Sequence, residues 1–216
     1  VLEAYKTLGD SSATWRFFDG PAQGQDDSPR LSSIPDDVQV LVGFNMKFDL
    51  HYLLCSGDKS FYAFIARGGV IWDCQYVEYL LQGQVPSSHL LSLDEVAPRY
   101  GGSIKLDQVK AMWEAGIDTP DIPRNILLDY AVGTEEEGRN GGDIGNTEKV
   151  FLGQWEAVRA AGMLPSVLAR MLGLAATTEM EYRGLYVDMQ AAKEDKALLD
   201  EKLAKCEAEL QRHLPD

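Results

Sequence analysis

Val38-Gln39-Val40-Leu41-Val42-Gly43-Phe44-Asn45-Met46-Lys47-Phe48-Asp49 is the stretch on which the fold turns. Its first six residues are a short apolar run of the kind that forms a buried strand. Gly43 ends the run, and apolar residues from Met46 to Leu54 then recur with helical spacing. A strand passing directly into a helix is the repeating step of an α/β layer. Asn45 and Asp49 are four apart, so they share one helix face at the end of that strand. In open α/β sheets this crevice is where ligands sit. A carboxylate there can bind a hard cation such as Mg²⁺, and an amide can hydrogen-bond a polar ligand. The same two residues also suit plain structural work, Asn45 as a helix cap and Asp49 as a first-turn acid.

Outward from this step, Val1–Phe18 reads as two strands about the turn Gly9-Asp10-Ser11-Ser12. Asp19 to Pro35 is rich in Gly, Pro, Ser and Asp and reads as a loop. Val70-Ile71-Trp72 is a second buried strand, and Asp73 can cap a helix over Cys74–Gln82. Ser92-Leu93-Asp94-Glu95 fits the capping box and predicts a helix running to Gly101-Gly102. Further helices are expected over Arg124–Val132, from Asp143 to about Ala161, and over Leu164–Glu181; Gly133–Gly142 reads as a surface loop. The predicted fold class is therefore α/β, a mixed sheet flanked by helices. Beyond it, Leu199, Leu203, Cys206 and Leu210 form one apolar seam on a charged helix, the expected opening of a second, helical domain.

Length and charge narrow the function. At roughly 150 residues per domain, 216 residues make one domain and a remainder. Hydrophobic residues at 45% are enough for a core, which excludes wholesale disorder. Twenty basic against 34 acidic side chains leave a net charge of −14, which argues against a broad basic surface for duplex phosphates. Residues 189–216 carry five basic and seven acidic groups, so most of the excess lies in 1–188. No apolar run approaches the ~18 residues of a spanning helix, and no membrane partner is expected. Three widely spaced cysteines, Cys55, Cys74 and Cys206, suggest neither a disulfide framework nor a zinc site, so a reducing, cytoplasmic setting is the simplest expectation.

The strand followed by Gly-x-Asn-x-Lys-Phe-Asp and an apolar helix resembles the second exonuclease motif of the DEDD (DnaQ-like) 3′–5′ exonucleases. More specifically, it resembles the proofreading domain of phage-type family A DNA polymerases. Trp72-Asp73-Cys74-Gln75, Ser92 to Gly101, Asp143 to Thr147, and Arg183-Gly184-Leu185-Tyr186-Val187-Asp188 resemble later segments of that domain in the same order. The resemblance implies a ribonuclease H-like domain over 1–180 and the start of an all-α polymerase thumb over 181–216. It implies two-metal hydrolysis of the 3′-terminal phosphodiester, with two Mg²⁺ or Mn²⁺ ions held by carboxylates. By resemblance Asp49 and Asp143 are metal ligands, Asn45 and Phe48 contact the frayed strand, and Tyr130 orients the attacking water. The implied partners are a single-stranded 3′ end of DNA and a polymerase domain in the same parent chain, in the host cytoplasm if the source is viral.

Two departures qualify that picture. The family spaces Tyr and Asp four apart, whereas Tyr130 and Asp143 are thirteen apart. Thr134–Gly142 thus reads as an insertion, and Glu135 and Glu136 within it are rivals of Asp143 for the metal. The family's first motif, Asp-x-Glu, is also absent. The expectation is that it lies on a strand before Val1, so that this chain alone is weak or inactive. A stand-alone DEDD nuclease acting on DNA or RNA, and a degenerate module that only guides DNA, are the alternative readings.

Overall fold

The computed structural model describes residues 2–18, 33–103 and 108–213. Most of the Asp19–Pro35 loop lies outside the described residues. Strands β1 (Leu2–Tyr5) and β2 (Thr14–Phe17) pair antiparallel. Strands β3 (Val40–Gly43) and β4 (Val70–Asp73) pair parallel, with Leu41 opposite Ile71, Val42 opposite Trp72 and Gly43 opposite Asp73. Among the described residues these are two separate two-stranded sheets, not the single mixed sheet that the sequence predicts. Apolar alternation identifies strands, but it carries no information on which strand edges meet.

Helix dominates the rest. The first helices are α1 (Met46–Cys55), α2 (Ser60–Ala66) and α3 (Cys74–Leu81), followed by α4 (Leu93–Val96), α5 (Gln108–Glu114) and α6 (Arg124–Val132). The long ones are α7 (Gly142–Ala160), α8 (Leu164–Arg183) and α9 (Met189–Gln211). None of the helices in the described residues is long and apolar enough to cross a membrane.

The parallel pair β3–β4 separates two apolar layers. Ile71 packs with Leu50, Leu54, Phe61, Phe64 and Leu174, on the side of α1 and α2. Its neighbour Trp72 faces the other way, into Cys74, Val77, Val150, Val158 and Met171 from α3, α7 and α8. Leu41 and Val42 repeat this division on β3, as side chains alternating across a strand must. Each such fully buried side chain contributes about 1.5–3 kcal/mol. The layers therefore outweigh any single cap in fixing where β3 and β4 end.

Local rules account for the differences from expectation. The helix expected from Ser92 to Gly101 is α4 followed by a 3-10 turn over Ala97–Tyr100. Pro98 lacks an amide and crowds the preceding turn, so the α-helical ladder cannot pass it. The Glu95 carboxylate does accept from Ser92 N and Oγ at 2.8 Å. Helix α2 is unpredicted because it lacks a side-chain cap, although Phe61 and Phe64 are buried at helical spacing.

The chain divides into Val1–Tyr182 and Arg183–Asp216. Within the second unit Asp188 caps α9, accepting from Gln190 N and Ala191 N at 3.0 Å. The seam of Leu199, Leu203 and Leu210 is exposed.

Candidate functional site

Pairing Gly43 with Asp73 brings the carboxyl ends of both parallel strands to one place. The Asp73 side chain, 4% exposed, joins the helices that leave them. Its Oδ1 accepts from Gln75 N at 2.9 Å and Tyr76 N at 3.2 Å, capping α3. It also accepts from Asn45 N at 3.2 Å, while Oδ2 accepts from Met46 N at 3.0 Å, at the start of α1. One carboxylate thus satisfies orphan amides at two helix N-termini, whose dipoles both favour negative charge. Burial pushes the Asp73 pKa up, and the four amides pull against it. With four amide donors on it, Asp73 is a positioning residue.

Because Asp73 caps α1, Asn45 does not. Asn45 stands at the cap position in the left-handed conformation, φ 58° and ψ 53°, and its side chain makes no cap hydrogen bond. Asn tolerates this conformation better than other non-glycine residues. Its amide is left on an open concavity lined by Lys47, Phe48, His51, Tyr52 and Glu181. Phe48 is 59% exposed and meets Tyr52 with ring centroids 5.0 Å apart.

Asp49 sits beside this surface, one turn from Asn45. The residue as a whole is exposed, yet its carboxyl is partly desolvated. Lost solvation raises its pKa to about 6; a hydrogen bond from its own backbone opposes the shift, and the Asp73 charge adds to it. Such a carboxylate opposes folding when ionised. Below pH 3.8 the group is protonated in folded and unfolded states alike. Between 3.8 and about 6 only the unfolded chain ionises, so stability falls as pH rises, and above 6 the deficit is constant. Asp49→Asn is therefore expected to stabilise the protein at pH 8 by at most about 1 kcal/mol, since solvent screens part of the charge. At pH 3 the gain should vanish. Urea unfolding at the two pH values checks this.

Backbone closure brings Tyr130 up to Gly142, the residue before Asp143. Gly133–Gly141 forms a loop in which Gly141 N donates to Val132 O at 2.9 Å and Arg139 O accepts from Ala13 N at 3.0 Å. Thr134 N donates to Glu137 Oε2 at 2.8 Å, and the Arg139 guanidinium bridges Asp129 and Gly133 O. The loop ends abut so closely that a Cβ on Gly142 would lie 2.6 Å from both Gly133 N and Tyr130 O. Gly142 also has φ +59°, which glycine adopts without strain. Thirteen residues of separation thus collapse to backbone contact between Tyr130 and the residue before Asp143. Asp143 lies in the first turn of α7 and does not cap it; Gly141 holds that position. The rivals Glu135 and Glu136 are exposed, and Glu135 is engaged by Arg139 at 3.3 Å. Gly142→Ala should cost about 2–3 kcal/mol by combining overpacking with a left-handed alanine. Denaturant unfolding would read this, and Gly138→Ala, at φ +64° with open space around it, should cost less.

Helix α7 carries Asp143 toward the Asp73 end of the sheet. Cys74 Sγ lies 4.0 Å from the carbonyl of Thr147, one turn beyond Asp143. Asn146, 2% exposed, clasps Ser103 by accepting from its N at 3.1 Å and donating to its O at 3.0 Å. Deeper, Gln154 Nε2 donates to Cys74 O at 2.9 Å and to Glu78 Oε2 at 3.0 Å. Arg99 and Tyr100 donate to the same Glu78 carboxylate at 2.9 and 2.7 Å. This buried network locks α3 to α7 and was not foreseen from sequence, since its members are up to 80 residues apart. Burial pushes the Cys74 thiol well up, so it stays protonated and is no nucleophile. Tyr130 stacks edge-on against Trp113 with centroids 6.1 Å apart.

Among the described residues no group of three or more His, Cys, Asp and Glu side chains is arranged to hold a metal ion. Asp49 and Asp143 are hard oxygen donors suited to Mg²⁺ or Mn²⁺, but two carboxylates do not complete such a centre. No family model, curated protein or solved structure matches the chain.

Proposed function

We propose that Val1–Tyr182 is the greater part of a ribonuclease H-like 3′–5′ exonuclease domain that trims single-stranded DNA ends for a family A DNA polymerase in the same parent chain. In this reading the helix α9 segment begins the polymerase thumb. The observation that carries the reading is the closure at Gly133 and Gly142. It supports the reading because the Tyr130 carbonyl comes up against Gly142, the residue before Asp143, despite the insertion between them.

Asp49 and Asp143 then act as two carboxylates of a divalent-metal site, with the Asp-x-Glu pair supplied from a preceding strand. Bound ions of this kind activate water and stabilise a leaving 3′ oxygen. The chain's own residues do the rest. Asp73 holds the start of α1, and with it Asn45 and Phe48, against the incoming strand. Tyr130 orients water beside Asp143. The raised pKa of Asp49 supports this role, because crowded carboxylates that cost stability cluster at functional sites. A cytoplasmic setting goes with this reading.

The test uses the full-length protein and a 5′-labelled single strand. Stepwise shortening from the 3′ end with Mg²⁺, and none in EDTA, is expected. Shortening that ignores EDTA, or an intact strand with Mg²⁺, would overturn the reading.

A further inference from the structure

Helix α1 carries two pairs at i, i+4 spacing on its outer surface: Lys47 with His51, and Phe48 with Tyr52. The first pair converges on one carboxylate from α8. Lys47 Nζ donates to Glu181 Oε1 at 2.6 Å, and His51 Nε2 lies 3.3 Å from Glu181 Oε2. The His51 nitrogen is shut off from solvent but makes no hydrogen bond. The second pair offers exposed ring surface directly alongside.

We infer that Lys47 and His51 form a cradle for one phosphodiester of a single strand whose bases stack on Phe48 and Tyr52, and that Glu181 is a built-in competitor for that cradle. The inference deepens the proposed function by assigning a strand-binding subsite, and it rests on that function only for the direction in which the strand runs.

Three features favour this occupant. Two carboxylate oxygens spread over an ammonium and an imidazole nitrogen reproduce the paired non-bridging oxygens of a phosphodiester. Exposed aromatic rings beside a cation are the usual platform for single strands, where stacking contributes about 1–3 kcal/mol per base. The half-exposed Lys47–Glu181 pair adds little to stability, so bracing alone does not explain the convergence. The hydrogen bond from Lys47, and then its charge and that of His51, hold Glu181 below the usual carboxylate range, so it stays ionised as a competitor. On a chain with net charge −14, such a competitor also keeps the strand's residence short.

The experiment is fluorescence anisotropy of a labelled oligothymidylate with the 216-residue chain in EDTA, where hydrolysis plays no part. Glu181→Gln should tighten binding by about three- to tenfold, the scale of one released ion pair. Lys47→Ala should weaken binding, flatten its salt dependence by about one phosphate, and abolish the gain when combined with Glu181→Gln. Glu181→Gln binding no tighter than the parent, or a gain that survives Lys47→Ala, would overturn the cradle. If the gain appears while the full-length protein fails to shorten strands, the cradle stands and the exonuclease reading falls; the reverse pattern separates them equally well.

Discussion

Asp49→Ala in the full-length protein is expected to slow single-turnover release of the 3′-terminal nucleotide by at least about 100-fold, or 3 kcal/mol of barrier. The size follows from what this carboxylate does in the proposed site. It is the one acid on α1 placed at the strand's carboxyl end, and its charge is retained against desolvation and the nearby Asp73. Binding of the strand should change little, because Asn45, Phe48 and Tyr52 remain. Fold stability should not fall either, since removing a crowded carboxylate relieves a cost. A rate loss accompanied by unchanged or higher stability is the signature of a functional acid, and a structural one would show the opposite. Rapid-quench kinetics beside urea unfolding reads both.

Asp73→Ala should behave in that opposite way, lowering stability by about 3 kcal/mol. The substitution strips acceptors from Asn45 N, Met46 N, Gln75 N and Tyr76 N together, at a position only 4% exposed. A lost cap costs about 1 kcal/mol, and two helix starts lose theirs at once, with buried donors left unpaired. Ionisation of Asp73 itself opposes folding somewhat, since its pKa is raised by burial, but loss of the acceptors opposes it far more. Asp73→Asn should cost less. Its carbonyl oxygen can replace Oδ1 and keep three of the bonds, and only the Met46 amide loses its acceptor. Thermal unfolding of the two variants should therefore rank Ala well below Asn. Equal losses would show that the shared cap is not what Asp73 contributes.

The legible parts of the sequence were those governed by neighbours in the chain. Val40–Gly43 followed by Met46–Cys55 is a strand and helix within sixteen residues, and Pro123 and Gly133 bracket α6 where it was expected. Long-range partnerships were not legible. Asp73 was readable as the cap of its own helix, but nothing local says that it also caps α1, and Asn45 looked like the cap instead. Glu181 reaches Lys47 across 134 residues. The contact across the insertion between Tyr130 and Asp143 was hidden for a different reason. Sequence counts residues along the chain, whereas Gly133 and Gly142, lacking Cβ atoms, let the two ends of an insertion touch. The pairing of strands into two sheets was hidden because apolar alternation is the same for either edge.

The central claim is that Asp49 and Asp143, 94 residues apart, serve one reaction centre. It is tested most directly by a double-mutant cycle on single-turnover 3′-end trimming by the full-length protein. Asp49→Ala and Asp143→Ala should each slow trimming by about 100-fold or more, and the double variant should be hardly slower than the slower single, as for residues acting as a unit. Singles that trim at the parent rate, or a double variant slowed by the product of the two separate effects, would contradict it.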